Sequence, residues 1–157
     1  MIALIVAYSK NRVIGNQGQI PWNIKGEQKR FKELTTGNIV IMGRRSYEEI
    51  GKPLPGRTTI VISKTHHYED ENCFTCNSLD EALRLSGSKE VYIAGGARLY
   101  KDALDIVDKM YITLIDKEEK GDTFFPSFDE NRFHKEIVEV FEGDIPYTYL
   151  TYTRIRS

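Results

Sequence analysis

Residues 39–50 read IVIMGRRSYEEI, and this stretch joins a strand pattern directly to a helical one. The apolar run Ile39–Met42 predicts a buried strand, and the largely polar run Ser46–Ile50 predicts a short helix. A connection this short, beginning at a glycine, is typical of the junctions in α/β folds. Because parallel strands need crossover connections, the stretch favours a parallel sheet flanked by helices.

The same alternation of strand and helix continues through the first three quarters of the chain. Ser78 and Glu81 have the spacing of a capping box, which predicts a helix from there to about Leu85. Further strands are predicted at Ile2–Ala7, Thr59–Ser63, Val91–Ala94 and Met110–Ile115, and further helices at Glu27–Leu34 and Ala97–Leu104.

The pattern changes after Gly121. Lys135–Phe141 and Tyr147–Ile155 alternate like strands, with a Gly-Asp pair between them, which predicts an antiparallel hairpin added to the sheet edge. We therefore expect an α/β fold with a single domain over residues 1–157. It should have a mostly parallel central sheet of about eight strands, helices on both faces and an antiparallel C-terminal hairpin.

The composition fits one domain without special partners. A chain of 157 residues can bury a core without disulfides. Its net charge of -1 gives no reason to expect a nucleic-acid partner. A membrane span needs about 18 apolar residues, and no apolar run approaches this length. The apolar start MIALIVAY becomes polar at Ser9 and is not preceded by a charged leader. We expect a cytoplasmic monomer that binds neither membrane nor nucleic acid.

The string CFTC at residues 73–76 resembles a redox or metal pair only superficially. Positions i and i+3 of a strand project to opposite faces, and the sequence has no second CxxC to complete a zinc site. We interpret Cys73 and Cys76 as packing residues. His66 and His67 are adjacent in a polar loop, which suits chelation poorly, so we expect them to be solvated and predict no metal site.

One carboxylate interrupts an apolar helical face in the segment IPWNIKGEQKRF, residues 20–31. Glu27, Phe31 and Leu34 fall at i, i+4 and i+7, and therefore share one face of the predicted helix. That face should turn toward the interior or a cleft. A carboxylate at this position therefore needs an explanation.

Two interpretations of Glu27 remain open from the residues alone. In the first, Glu27 complements the helix dipole in the first turn while its head group reaches water. In the second, it lies at the floor of an apolar pocket beside Ile20, Trp22 and Phe31. Burial would then raise its pKa toward neutrality, where it could assist a proton transfer or bind a forked nitrogen donor.

Two strand-to-helix junctions have the features of a phosphate site. In YIAGGARLY, Gly95 and Gly96 let the backbone approach a ligand, and the helix from Ala97 directs its free N–H groups to the same place. In VIMGRRSY, the junction glycine is followed by Arg44 and Arg45. Taken separately, a tight turn and a solvated arginine pair explain these features. Together they favour a dinucleotide lying across the carboxyl ends of parallel strands.

Ser63 and Lys64 end a third strand at the same edge of the predicted sheet. With Arg44 they form a cluster that suits a ribose 2′-phosphate. The strand end has no acidic residue to bind a free 2′-hydroxyl. The cofactor that this pattern favours is therefore a 2′-phosphorylated dinucleotide.

Four strings in the order IPW, IMGR, IGKPLPGR and IAGGA make the chain resemble the dihydrofolate reductases. The resemblance extends from residue 1 to about Phe125 and is weaker through the tail. It implies reduction of 7,8-dihydrofolate with NADPH as cofactor, with hydride added at C6 and a proton at N5. Dihydrofolate and antifolate inhibitors are therefore the expected ligands.

The resemblance also implies roles for individual residues in catalysis and substrate binding. Glu27 is the acid that binds the pterin amine and promotes protonation of N5, Thr113 hydrogen-bonds to that acid, and Trp22 belongs to the catalytic group. Arg57 pairs with the carboxylate of the glutamate tail. The other implied substrate contacts are Ile5, Ala7, Ile20, Gln28, Phe31, Ile50, Leu54, Ala94 and Tyr100.

The implied cofactor contacts come from the glycine-bearing junctions and from two loops. Gly15–Trp22 matches a mobile loop that closes over the nicotinamide, and Gly121 with Asp122 matches the loop that steadies it. The full set is Ala7, Ile14, Gly15, Gly18, Gly43, Arg44, Arg45, Ser46, Ser63, Lys64, Gly95, Gly96, Ala97, Arg98, Leu99, Tyr100, Asp122 and Thr123.

Several residues differ from those expected of ordinary bacterial members. Glu27 replaces aspartate, Gln28 an aliphatic residue, Ile20 a methionine or leucine, Glu49 a small polar residue and Ala94 a larger aliphatic residue. The string KGEQ is similar to that of plasmid-borne, trimethoprim-insensitive reductases. A carboxyl moved by about one methylene forces a diaminopyrimidine drug to reposition, so we expect reduced trimethoprim sensitivity.

Two other functions compete with this one. A reductase of riboflavin synthesis could share the fold and the NADPH site, but it would not need Trp22, Glu27 and Arg57 together. A binding module with a vestigial dinucleotide site is disfavoured because Glu27, Thr113 and the glycine pair are intact. Measuring NADPH oxidation with and without dihydrofolate distinguishes the three.

Overall fold

The computed structural model describes residues 1–17, 20–22 and 24–156, and an eight-stranded sheet dominates it. Gly18, one of the predicted cofactor contacts, lies outside the described residues. The strands are β1 Ile2–Ser9, β2 Val13–Gly15, β3 Ile39–Gly43, β4 Thr58–Ile62, β5 Cys73–Cys76, β6 Val91–Ile93, β7 Lys109–Ile115, β8 Thr123–Phe124, β9 Phe133–Phe141 and β10 Tyr147–Arg154. The helices are α1 Lys25–Thr35, α2 Arg44–Ile50, α3 Leu79–Ser86 and α4 Ala97–Ala103, with a short 3₁₀ turn at Glu130–Arg132.

The strand order of the main sheet is β5-β4-β3-β6-β1-β7-β10-β9. The strands from β5 to β7 in this order pair parallel with one another, and β10 and β9 add an antiparallel hairpin at the β7 edge. The predicted mostly parallel sheet with an antiparallel C-terminal hairpin is confirmed. Because β1, β3, β4 and β6 run in one direction, their carboxyl ends meet at one edge of the sheet.

Side chains along the central strands alternate between two helix-covered faces. Leu4 of β1 packs in the cluster that contains α3 and α4 side chains, whereas Ile5 packs on the opposite face with α1. In β3, Ile41 lies on the α3 and α4 side and Met42 lies on the side of α2. This period of two is what a sheet buried on both faces requires, and the prediction of helices on both faces is confirmed.

Two helices begin earlier than the polar pattern suggested. α1 begins at Lys25 rather than Glu27, and α2 begins at Arg44 rather than Ser46. No loop separates β3 from α2, because Gly43 is both the last residue of the strand and the N-cap of the helix. Ser78 caps α3 as predicted, since its hydroxyl oxygen accepts from the Glu81 N–H at 3.2 Å.

The cysteines are buried and the adjacent histidines are exposed, as the sequence predicts. Cys73 and Cys76 are free and buried on β5, one in the apolar cluster of each face. His66 and His67 are exposed. Within the described residues, no helix has the length and apolar character needed to cross a membrane.

Two short strands that the sequence did not predict form a separate ribbon. β2 pairs antiparallel with β8, which ties the loop after β1 to the segment after β7. The Asp122 carboxylate accepts from the Gln17 N–H at 3.0 Å, and the Asp122 N–H donates to the Gly15 carbonyl at 3.1 Å. The bond from Gln17 holds the pKa of the Asp122 carboxyl below its usual range. The predicted mobile loop is therefore attached to the predicted steadying loop by one charge-assisted hydrogen bond and one backbone hydrogen bond.

Gly121 lies so close to this ribbon that a side chain would not fit. A Cβ placed there would lie 2.3 Å from Val13 Cγ1 and 2.6 Å from the Gly15 carbonyl oxygen. Gly121→Ala should therefore displace the ribbon and lower the free energy of unfolding by about 1–3 kcal/mol. Urea unfolding measures the change. Lys120→Ala, at an exposed neighbour, should change it by less than about 0.5 kcal/mol, and equal effects of the two substitutions would contradict the prediction.

Candidate active site

Glu27 and Thr113 meet at the centre of the candidate site. Glu27 lies in the first turn of α1, whereas Thr113 lies on β7 and is only 2% exposed. The Thr113 hydroxyl donates a hydrogen bond to Glu27 Oε1. The fold therefore brings together the predicted acid and its predicted hydroxyl partner from distant parts of the chain.

The carboxyl of Glu27 is largely withdrawn from water. Burial raises the pKa of Glu27, while the hydrogen bond from Thr113 and the positive charge of Arg30 oppose that rise. Each interpretation of the sequence is right in part, since Glu27 lies in the first turn but its head group faces Thr113 rather than solvent. A carboxyl with a raised pKa can take part in proton transfer closer to neutral pH.

Phe31 provides an apolar wall one turn beyond Glu27. Two apolar clusters lie on this face of the sheet, and Phe31 packs against both of them. Ile5 belongs to the first cluster, and Leu54 packs against the second. Ala94 contacts both clusters. The predicted pocket residues Ile5, Phe31, Leu54 and Ala94 therefore lie together on the α1 side of the sheet.

Ile20 is not buried beside Glu27, contrary to what the second interpretation of the sequence expected. The residue is 59% exposed. Ile20 lines a cleft with Asn16, Pro21 and Lys120. The predicted catalytic residue Trp22 is half-buried, and the predicted substrate contacts Gln28 and Ile50 are exposed.

Arg57 is a buried cation near the other end of α1. Its side chain is 6% exposed, with Nη1 donating to Thr35 Oγ1 at 3.2 Å and Nε donating to the Pro55 carbonyl at 3.0 Å. Burial lowers the pKa of Arg57, but a guanidinium remains charged in a protein. Neither of these partners carries a charge, so the arrangement suits a carboxylate ligand.

Gly43 and Gly95 bring the ends of two neighbouring strands into contact. The Gly43 N–H donates to the Gly95 carbonyl at 2.8 Å. Gly95 has a φ of +116°, and a Cβ there would lie 3.0 Å from Ser46 Oγ and 3.4 Å from the Tyr100 hydroxyl oxygen, so the position requires glycine. The peptide bond between Gly95 and Gly96 is cis. Since neither α2 nor α4 has a side-chain N-cap, their first N–H groups are available to an anionic ligand.

Arg44 and Ser63 are connected by a series of contacts at the same edge. Arg44 Nη1 lies 3.6 Å from Glu48 Oε1, and the Tyr68 hydroxyl donates to the other carboxylate oxygen of Glu48. The Tyr68 ring stacks with the His66 ring at a centroid distance of 6.4 Å, and the His66 N–H donates to Ser63 Oγ at 3.0 Å. Sequence reasoning missed Glu48 and Tyr68 because their contacts join separate elements.

The remaining predicted cofactor contacts differ in their exposure. Leu99 and Tyr100 are buried, and the Tyr100 hydroxyl donates to the Ile5 carbonyl at 2.9 Å. The exposed members of the set are Arg45, Lys64, Arg98 and Asp122. The half-buried members are Ala7, Ile14, Gly15, Ser46, Gly96, Ala97 and Thr123.

Sequence reasoning also missed a cation beside the acid. Arg30 lies one turn after Glu27 on α1, with its guanidinium carbon 3.8 Å from the ring centroid of Tyr149 on β10. The i, i+3 spacing of Glu27 and Arg30 was the one signal in the sequence, since such residues are neighbours on a helix. The contact with Tyr149 could not be read from the spacing.

A family model described as dihydrofolate reductase matches residues 1–154 of the chain. The chain is 39% identical to dihydrofolate reductase type A13 of Escherichia coli over 155 residues, which cover 98% of this chain and 94% of the relative. It is 40% identical to dihydrofolate reductase of Bacillus subtilis (strain 168) over 134 residues, covering 85% of this chain and 80% of the relative.

The fold is also similar to that of a solved structure, the dihydrofolate reductase from Enterococcus faecalis complexed with NADP(H) and RAB-propyl. The TM-score is 0.90 at 34% sequence identity, and the match covers 98% of this chain and 96% of the other. The similarity therefore extends over the sheet, the helices and the C-terminal hairpin together.

Proposed function

The chain belongs to the dihydrofolate reductase family of NADPH-dependent oxidoreductases, and we propose that Glu27 is the acid with which it reduces 7,8-dihydrofolate to 5,6,7,8-tetrahydrofolate. The observation that carries this role is the buried carboxyl of Glu27 held by the Thr113 hydroxyl. The product would supply one-carbon and thymidylate metabolism. We propose that the whole chain, residues 1–157, acts as one domain and as a cytoplasmic monomer.

The hydrogen bond from Thr113 leaves Glu27 able to bind a pterin edge. Thr113 occupies Oε1, so Oε2 can accept from a ring N–H or amine, and the lone pairs of the Thr113 hydroxyl can accept from a neighbouring amine. A carboxylate is suited to such a forked donor. Because burial raises the pKa of Glu27, the carboxyl can also promote protonation at N5. We assign the half-buried Trp22 to the same catalytic group.

The carboxyl edge of the sheet fits the cofactor that the family uses. The conformation of Gly95 and its distance from Ser46 leave no space for a side chain, so backbone can approach a pyrophosphate between α2 and α4. NADPH, when bound, supplies the hydride for C6. The chain's own task there is to bind the cofactor and hold it against the pterin pocket.

Arg44, Ser63 and Lys64 suit the 2′-phosphate. The Ser63 oxygen already accepts from the N–H groups of Thr65 at 3.3 Å and His66 at 3.0 Å, so its own proton is free for a phosphate oxygen. At the opposite side of the pocket, Arg57 would pair with the carboxylate of the glutamate tail, for which its two uncharged partners leave it available.

The role of Glu27 is tested by Glu27→Gln, which keeps the shape of the side chain and removes the acid. NADPH binding should be retained, while dihydrofolate reduction at neutral pH should fall by about two to four powers of ten. Activity should recover partly in acid, where solvent protonates N5. The measurement is dihydrofolate-dependent NADPH oxidation across pH. Glu33→Gln, at an exposed acid on the same helix, is the control, and turnover of Glu27→Gln within a few-fold of wild type would contradict the role.

The preference for NADPH over NADH is tested by neutralising Arg44 and Lys64 with glutamine. Charge-assisted contacts to a phosphate are worth about 1.5–3 kcal/mol each, so the KM for NADPH should rise strongly while that for NADH stays nearly unchanged. Lys89→Gln is the matched control, because Lys89 precedes β6 at the amino edge of the sheet. Equal increases for both cofactors would show that these side chains do not recognise the 2′-phosphate.

We also propose reduced sensitivity to trimethoprim, for which the α1 side of the pocket supplies the reasons. Glu27 carries its carboxyl on an arm longer than that of aspartate by about one methylene. Ala94 contributes little volume where it packs, with Phe31, against the two apolar clusters on this face. Gln28 adds a polar group at the exposed rim of the pocket. Small misfits of this kind add up, since about 1.4 kcal/mol is a tenfold change in affinity.

Trimethoprim should therefore inhibit this enzyme at least about tenfold less strongly than an aspartate-bearing bacterial reductase. Methotrexate should stay potent, because its glutamate tail can also use Arg57. Inhibition curves for both drugs on wild type and Glu27→Asp are the measurement. Low-nanomolar trimethoprim inhibition of the wild type would refute the proposal, and an unchanged inhibition constant in Glu27→Asp would assign the effect to Gln28 or Ala94.

A further inference from the structure

Two side chains on neighbouring strands support the start of α1. Thr113 on β7 and Tyr149 on β10 are direct partners in the antiparallel register, so their side chains lie on the same face and close together. Thr113 donates to Glu27 Oε1, and the Tyr149 hydroxyl donates to the Gly26 carbonyl at 3.3 Å. The first turn of α1 therefore rests on this cross-strand pair.

Arg30 lies over the aromatic member of that pair. Its guanidinium carbon is 3.8 Å from the ring centroid of Tyr149 and 6.0 Å from that of Tyr111, within the range of cation–π contacts. Tyr111 lies two residues before Thr113 on β7, and therefore on the same face of the sheet. The two rings hold the guanidinium in a half-buried position beside α1.

Glu27 and Arg30 are therefore anchored one helical turn apart by adjacent residues of the sheet. Positions i and i+3 are neighbours on a helix surface. Both side chains are partly withdrawn from water, so the attraction between their charges is screened less than that of an exposed pair. The charge of Arg30 opposes the rise that burial causes in the pKa of Glu27.

We propose that Arg30 is a positioning residue for the acid: held by Tyr149 and Tyr111, it sets the pH range over which Glu27 keeps its proton. This inference rests on the proposed role of Glu27. Arg30 acts through the carboxyl, and its contacts are with the aromatic rings of the sheet.

The other groups around the pair do not replace this charge. Burial raises the pKa of Tyr149 to about 12 and raises that of Tyr100 as well, so both phenols are neutral near pH 7. Lys109 Nζ lies 5.9 Å from the Tyr111 ring centroid. Among the described groups, Arg30 is the cation whose charge acts on the titration of Glu27. On the face of the sheet that packs against α1, the titratable groups include Lys109 and Tyr111 of β7, Tyr147 and Tyr149 of β10, and Glu139, which pairs with Tyr149 from β9. Tyr100 of α4 is close enough to Glu27 to interact with its charge.

The direction of the effect follows from the sign of the charge. A positive charge favours the ionised carboxylate, so Arg30 lowers the pKa of Glu27 relative to a neutral residue at the same position. It also disfavours a protonated N5 on a bound pterin. Without Arg30, both the Glu27 carboxyl and the N5 of a bound pterin therefore keep a proton to higher pH. The loss of dihydrofolate reduction in alkali should move to higher pH.

The pH profile of Arg30→Gln tests this inference. At a pH on the alkaline limb of the wild-type profile, the rate of Arg30→Gln relative to its own plateau should exceed the wild-type value by about threefold. Arg30→Lys keeps the charge and should keep the limb. Lys29→Gln removes the same charge from the exposed side of α1, where Lys29 Nζ lies 3.9 Å from Glu33 Oε1, and should leave the limb unchanged.

A second measurement does not depend on turnover. The Glu27 carboxyl, followed by carboxyl-carbon NMR in the ligand-free protein, should titrate at higher pH in Arg30→Gln than in wild type. Wild-type titration and an unmoved limb in Arg30→Gln would overturn the proposal, as would an equal shift in Lys29→Gln. A purely structural role would lower the Tm of Arg30→Gln without moving either curve, and this too would overturn it.

Two further variants keep the test decisive. If Arg30→Gln does not fold, Tyr149→Leu removes the ring that holds the guanidinium and should move the limb in the same direction. An alkaline limb of Tyr149→Leu at the same pH as that of the wild type would then overturn the proposal. Wild-type turnover in Glu27→Gln would count against the proposed acid, whereas the NMR titration reports on the charge pair whether or not Glu27 is that acid.

Discussion

The burial of one carboxylate constrains the rest of the site. Withdrawing a carboxylate from water destabilises the folded protein by roughly several kcal/mol unless hydrogen-bond donors and a compensating charge surround it. Glu27 has both, because Thr113 donates to Oε1 and Arg30 supplies positive charge. Arg30 belongs to α1 itself, whereas Thr113 belongs to β7. The hydrogen bond to Thr113 therefore fixes the first turn of α1 on the sheet. The position of α1 in turn decides where Phe31 stands in the pocket.

The strand order separates the two halves of the site and also joins them. β6 lies between β1 and β3. Gly95, just beyond the end of β6, therefore lies beside Gly43 at the end of β3, although the two are far apart in sequence. Their hydrogen bond of 2.8 Å brings α2 and α4 to the carboxyl edge. β1 runs beside β6 and β7, and its residue Ile5 contacts the α1 wall while its carbonyl binds Tyr100 of α4. The central strand therefore connects the carboxyl edge, where we propose that the cofactor binds, with the α1 side of the site.

The extent to which the sequence predicts this structure depends on how local each signal is. The parallel strands were predictable because strands buried on both faces are continuous apolar runs. The β2 and β8 ribbon was not, since strands of three and two residues have no measurable period. The exposure of Ile20 was not predictable from its apolar character, because exposure depends on the tertiary contacts that a residue makes. Arg30 gained its role from Tyr149, which only the register of the C-terminal hairpin places beside it.

α1 carries both polar ends of the pocket and therefore sets their separation. Glu27 lies in its first turn, and Thr35, its last residue, accepts from Arg57 at 3.2 Å. The intervening turns of helix span about 12 Å at the usual rise per residue, and loop movement does not change that length. With the roles proposed for Glu27 and Arg57, a ligand with a carboxylate tail would engage both ends of α1, so a shift of the Glu27 carboxyl would remove only part of its binding. Under the same proposal, a small diaminopyrimidine would reach only the acid, and its affinity would therefore depend on the position of that single carboxyl.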